Sequence, residues 1–157
     1  MKRIFTRCSP LIVALLAGMT WSGAATAQPQ IDIAAKKQRM PGPIYQVTVA
    51  NNGPAISGSS KLEFVDLVPQ GVTVVSIGAP GAACAYAVLP VVGPDVITCT
   101  RLFPGGIPAG TVWTVTFKIQ GEGHCPNCIK ARLYRRVGAS YVLFNEANMS
   151  NNVACAH

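Results

Sequence analysis

From residue 28 onward, no window of this chain carries apolar residues at positions i, i+3, i+4 and i+7 for three turns, so the amphipathic helix is excluded as its building unit. Short runs of β-formers take its place. Most are closed by Gly, Pro or Asn, which accept turn geometry or cannot continue a ladder. In residues 44–50, Tyr45, Val47 and Val49 alternate with Gln46, Thr48 and Ala50, the pattern of a half-buried strand, and Asn51-Asn52-Gly53-Pro54 stops it. In residues 111–120, Trp113, Val115, Phe117 and Ile119 share one face, with Thr114, Thr116 and Lys118 on the other. Similar runs fall at 31–35, 61–67, 72–77, 84–89, 96–102, 129–136, 141–144 and 153–157. About eight to ten short strands with no internal repeat predict an all-β, Ig-like β-sandwich, a single domain over residues 28–157.

The first 27 residues read as a signal peptide. Lys2, Arg3 and Arg7 form a basic start, an apolar run covers 11–17, and Gly23-Ala24-Ala25-Thr26-Ala27 ends in an A-x-A cleavage signature that places the mature start at Gln28. The apolar run is far shorter than the ~20 residues a bilayer span requires, and no later segment is long and apolar enough, so no membrane span is expected. Cys8 precedes the apolar run and is out of place for acylation. The full chain carries 13 basic and 6 acidic residues. Cleavage removes three of the basic ones and lowers the net charge from +7 to +4, which with export argues against nucleic acid as a partner. Five of the six cysteines survive cleavage and enter a periplasmic or secreted, oxidising setting where disulfides persist.

Several strings in order resemble a known family. They are Tyr45-Gln46-Val47-Thr48-Val49-Ala50-Asn51-Asn52-Gly53-Pro54, Val65-Asp66-Leu67-Val68-Pro69-Gln70-Gly71-Val72 and Ile97-Thr98-Cys99-Thr100. Pro108-Ala109-Gly110 and the closing Asn148-Met149-Ser150-Asn151-Asn152-Val153-Ala154 complete the set. Together they resemble the bacterial conserved-repeat family called "domain of unknown function 11", Ig-like modules of surface and secreted proteins. The resemblance implies a fold and a location, and no catalytic set. The chain departs from the family in carrying one copy rather than a tandem array, and in the segment His124-Cys125-Pro126-Asn127-Cys128, where a short polar turn is usual.

Cys84 and Cys99 sit almost symmetrically about the loop at 90–94, so a hairpin there makes them cross-strand neighbours. A disulfide between them closes a loop worth about 3 kcal/mol in the chain-entropy model. Cys125 and Cys128 have the spacing of a redox motif, but a strand follows them instead of the helix such motifs use. With Cys155, His124 and His157 they also form a conceivable metal set, against which the oxidising compartment works. A structural bond from Cys155 to Cys128 is the expectation, with Cys125 to Cys155 as the near alternative. It pins the last strand across a long connection, whereas a bond within Cys125-x-x-Cys128 restrains little.

Lys130, Arg132 and Arg136 share a strand face with Tyr134, and Arg135 adjoins them. They read either as a contact for anionic envelope polymers or as a solvated face whose charges discourage aggregation. Trp113, Phe117 and Tyr45 at strand spacing read as core before they read as a sugar platform. Glu63 and Asp66 lie an odd number of positions apart on one strand, point to opposite faces, and form no acid/base pair. Asn148-Met149-Ser150 fits a glycosylation sequon that a bacterial product seldom uses. No nucleophile elbow, zinc-protease motif or phosphate loop occurs. The expectation is a non-catalytic structural or binding module of the bacterial cell envelope, without cofactor, whose partner is a protein or an envelope polysaccharide. The alternative is a periplasmic metal-binding or thiol-disulfide protein built on His124, Cys125, Cys128 and Cys155.

Overall fold

A computed structural model describes residues 30–69, 71–88, 94–121, 128–146 and 148–155. The signal segment, His124, Cys125, His157 and most of the loop at 90–94 lie outside the described residues. In chain order the strands are β1 (Ile33–Met40), β2 (Ile44–Asn51), β3 (Ser60–Val68), β4 (Thr73–Gly78), β5 (Ala83–Ala87) and β6 (Asp95–Phe103). They continue as β7 (Val112–Gln120), β8 (Cys128–Val137), β9 (Ser140–Phe144) and, after a 3-10 turn at Met149–Asn152, β10 (Val153–Cys155).

Two antiparallel sheets result, and they pack as a sandwich. One has the order β1-β2-β7-β4. The other runs β10-β8-β3-β6-β5, with β9 also on β8. β9 and β10 share one edge of β8: β9 pairs with its far half, from Leu133, and β10 with its first residues. The fold class is the one the alternation predicts, because each pleat sends one residue set inward. Tyr45, Val47 and Val49 of β2 face Leu62, Phe64 and Val68 of β3 and Ile97 of β6 within one core, and Trp113, Val115, Phe117 and Ile119 of β7 join them. Burying each large side chain contributes about 1.5–3 kcal/mol relative to exposure. Tyr45 stacks on Phe117 with centroids 5.7 Å apart, and Phe64 tilts against Trp113 at 5.5 Å. These rings are core; a sugar platform is excluded by exposures of 1% for Trp113 and Phe117 and 3% for Tyr45.

The first strand needs a correction. The expected run at 31–35 extends instead over Ile33–Met40, because the polar stretch Lys36-Lys37-Gln38-Arg39 stays in register with β2, Lys37 opposite Val47. Lys37 points inward, on the face of Ile33, and its charge is met inside the sandwich by Asp66 of β3. Other boundaries differ from expectation by a residue or two, the usual scatter of strand ends.

Turn chemistry locks the loops over one end. Asn51 is fully buried; its Nδ2 donates to the carbonyls of Pro54 and Pro108 at 2.9 and 3.1 Å, and its Oδ1 accepts from Gly53 N–H. That side chain ties the strand-ending string 51–54 to the Pro108 segment, a link the order of the strings hides. Beside it Ile56 and Ile107 exchange main-chain hydrogen bonds of 2.8 and 2.9 Å. Gly106 makes the approach possible: its φ is +96°, and a Cβ there would sit 2.2 Å from the Ile56 carbonyl oxygen.

Candidate interaction face

The two outer faces of the sandwich differ in chemistry. On the four-stranded sheet the centre is polar: Lys36, Thr48 and Thr114 form one cross-strand row and Gln38, Gln46 and Thr116 the next. Gln38 Nε2 donates to Gln46 Oε1 at 2.7 Å. Exposed large apolar side chains of that sheet lie towards its rim, at Ile44, Val112 and, on the edge strand β4, Val75.

On the six-stranded sheet small and apolar side chains cover the β5 and β6 side, and charged ones the β3 and β8 side. Ala85, Thr98, Val65 and Lys130 make one row, and Ala83, Thr100, Glu63 and Arg132 the next. Ala87, Val96 and Leu67 lie on one side of these rows, and Leu102, Lys61, Tyr134 and Leu143 on the other. Leu67, Leu102, Leu143 and Val153 are 43%, 55%, 45% and 44% exposed. Lines of alanine and threonine leave this face flat on β5 and β6, and the long polar side chains gather on β3 and β8.

Glu63 organises the polar half. Its Oε1 accepts from the Tyr134 hydroxyl at 2.9 Å and lies 3.5 Å from Arg132 Nη1, and its Oε2 lies 3.4 Å from Lys61 Nζ. Lys61 Nζ also sits 3.8 Å above the Tyr134 ring. Partial burial first, and the bond to Glu63 second, push the Tyr134 hydroxyl above the usual phenol range. Exposed pairs of this kind contribute about 0–1 kcal/mol each, so the cluster acts by holding its side chains in place.

Lys130, Arg132 and Arg136 do share the outer face of β8. They do not form an uninterrupted positive stripe, because Glu63 stands opposite Arg132 and takes part of its charge. Arg135 turns the other way, over the Phe144 ring, and donates to the Ser57 carbonyl. Glu63 and Asp66 are on opposite faces, the first outside and the second fully buried. Asn148, of the sequon, is exposed just before the 3-10 turn and accepts from Ser150 Oγ at 2.7 Å.

Two disulfides lie in the six-stranded sheet. Cys84 and Cys99 are bonded across the β5/β6 pair with Cα atoms 4.1 Å apart, on its inner face. Cys128 and Cys155 are bonded across β8 and β10 with Cα atoms 4.0 Å apart, and both residues are exposed. The second bond takes two sulfurs that the metal or thiol alternative needs free. Among the described residues no group of three or more His, Cys, Asp or Glu side chains is placed to hold a metal ion.

Glu146 is a buried group that sequence reasoning missed. It accepts hydrogen bonds from Ile33 N–H and from Asn152 Nδ2, tying the start of β1 to the turn before β10. Burial raises its carboxyl above the ordinary range, the nearby Asp32 adds to this, and the two donors oppose it. Shallow depressions at Gly81, Ala82, Ala83, Thr100 and Leu102, and around Ile56 and Ile107, contain no carboxylate, imidazole or thiol in their linings. Among the described residues no helix is long and apolar enough to cross a membrane.

These features define an all-β sandwich with two cross-strand disulfides and one flat, partly apolar outer face. No family model matches the chain, and no curated relative matches it. Solved structures similar to it include cohesin modules. One is the cohesin module from the Clostridium perfringens family 33 glycoside hydrolase, at 8% identity and a TM-score of 0.43 over 82% of this chain and 97% of that one. Another belongs to a complex of CaCohA2 with a variant of CaDoc0917, at 11% and 0.44 over 80% and 95%. A third is the non-cellulosomal cohesin from the hyperthermophilic archaeon Archaeoglobus fulgidus, at 11% and 0.38 over 80% and 86%. At this distance no property of those modules transfers to the present chain.

Proposed function

We propose that this chain is an exported, non-catalytic Ig-like module of the bacterial cell envelope that binds a protein partner across the outer face of its six-stranded sheet. The resemblance to the conserved-repeat family of surface modules supports the location, as do two disulfides in a sequence with a signal-like start. The observation that carries the binding reading is the contrast between the two outer faces. Exposed Leu67 and Leu102 flank a flat alanine and threonine field on β5 and β6, next to the charged cluster of β3 and β8, whereas the centre of the other sheet is polar. Contiguous apolar exposure beside polar, charged residues is the mark of an interaction site. Lys130 and Arg136 at its side favour a partner with an apolar centre and an acidic rim. A polyanion is the weaker choice, because Glu63 breaks the basic line.

The test is comparative capture from an envelope extract of the source bacterium, with mass-spectrometric identification. A protein held by the wild-type module should be lost with L67D/L102D and retained with T48D/T114D on the opposite face. Equal retention by both variants, or binding that lipopolysaccharide alone reproduces, overturns the reading.

A further inference from the structure

The edges of the two sheets are protected unequally. β1 carries Lys36, Lys37 and Arg39 and packs against β8 and β10, which closes that side of the sandwich. β4 is broken by a register shift between Val74 and Ser76. β9 and β10, five and three residues long, divide one edge of β8 between them and leave it interrupted. Charge, bulges and cover are the usual protections of an edge. β5 has no charge, bulge or cover among the described residues: Ala83-Cys84-Ala85-Tyr86-Ala87 is regular and uncharged, and it pairs only with β6.

The disulfide shows which main-chain groups that edge presents. A Cα separation of 4.1 Å between Cys84 and Cys99 marks a non-hydrogen-bonded cross-strand pair. Ala83, Ala85 and Ala87 therefore bond β6, and Cys84 and Tyr86 aim their N–H and C=O groups away from it. Another extended main chain satisfies such a row in full. From this geometry we propose that β5 pairs antiparallel with β5 of a second copy of this chain, about a two-fold axis at Ala85.

Three observations favour a second copy. Rotation about Ala85 places Cys84 opposite Tyr86 of the other copy, and these are the residues whose main-chain groups point outward, so the register is hydrogen-bonded without adjustment. Outer-face positions meet alanine to alanine, with no bulk to move. The Arg101 guanidinium lies beside Gly81 at the start of β5, and Asp95 holds the Tyr86 hydroxyl near its end. Antiparallel pairing brings each start against the other copy's end, so opposite charges approach. The result is a closed, isologous dimer in which two six-stranded sheets become continuous. Its two docking faces lie side by side, so the inference extends the proposed function without depending on it.

Sedimentation of the purified, oxidised chain, with free thiols alkylated, tests the pairing. The weight-average mass should rise to twice the monomer value between micromolar and millimolar protein. A85K and A85E should each stay monomeric with unchanged circular dichroism, since Ala85 is exposed and like charges would face each other across the axis. An equimolar mixture of A85K and A85E should regain the doubled mass. A constant monomer mass for the wild type, or a dimer that A85K leaves intact, overturns the proposal.

Discussion

Lys37 Nζ lies 2.9 Å from Oδ1 and 2.8 Å from Oδ2 of Asp66, with both side chains fully buried between the two sheets. The ammonium also sits 5.4 Å from the centres of the Tyr45 and Phe117 rings, which stack on each other. Desolvating two charges costs several kcal/mol each, and their attraction repays this only while both are present. The intact pair therefore adds little net stability, whereas a broken one is costly.

Removing one partner should be far more damaging than removing both. K37M alone or D66L alone should lower unfolding free energy by about 3–5 kcal/mol, because each strands a buried charge. K37M/D66L should recover most of that loss. Urea denaturation of the four proteins closes the cycle, and additive losses would contradict the pairing.

The bond between Cys84 and Cys99 closes a loop with a sequence separation of 15. Replacing both with alanine should lower stability by about 2–4 kcal/mol and leave the β-type spectrum in place, since the remaining core is intact. Peptide mapping of the native protein should recover Cys84 with Cys99 and Cys128 with Cys155.

Glu146 makes stability depend on pH. Its folded carboxyl binds a proton more tightly than the unfolded one, so its contribution is fully present below the unfolded value and is lost as pH rises through the folded value. The urea midpoint of the wild type relative to E146Q should therefore increase as pH is lowered from neutral through the carboxylate range. A difference that stays flat or falls would place the carboxyl in water.

Strands whose inward run is apolar are legible from sequence, as in β7 and in β2 up to Val49, because period-two alternation needs only residue type. The inward set of β1 is not, since Lys37 breaks it. The signal that would have found it is Asp66, which stands between Phe64 and Val68 on the inward face of β3 and requires a cation there. Glu146 gave no comparable sign, because it lies in a connection and its donors come from Ile33 and Asn152, distant or irregular in sequence. The basic residues of β8 were placed on the correct face. Glu63, the partner of Arg132, comes from a strand whose neighbours the sequence does not specify.

Both disulfides join strands within the six-stranded sheet, and neither crosses the sandwich. Covalent restraint and layer cohesion are thus divided between different parts of the molecule. A reducing agent would loosen hairpins and free the final strand while the layers stay together. The half that carries the proposed docking face is thus the half that answers to redox conditions, while cohesion between the layers rests on their shared apolar core.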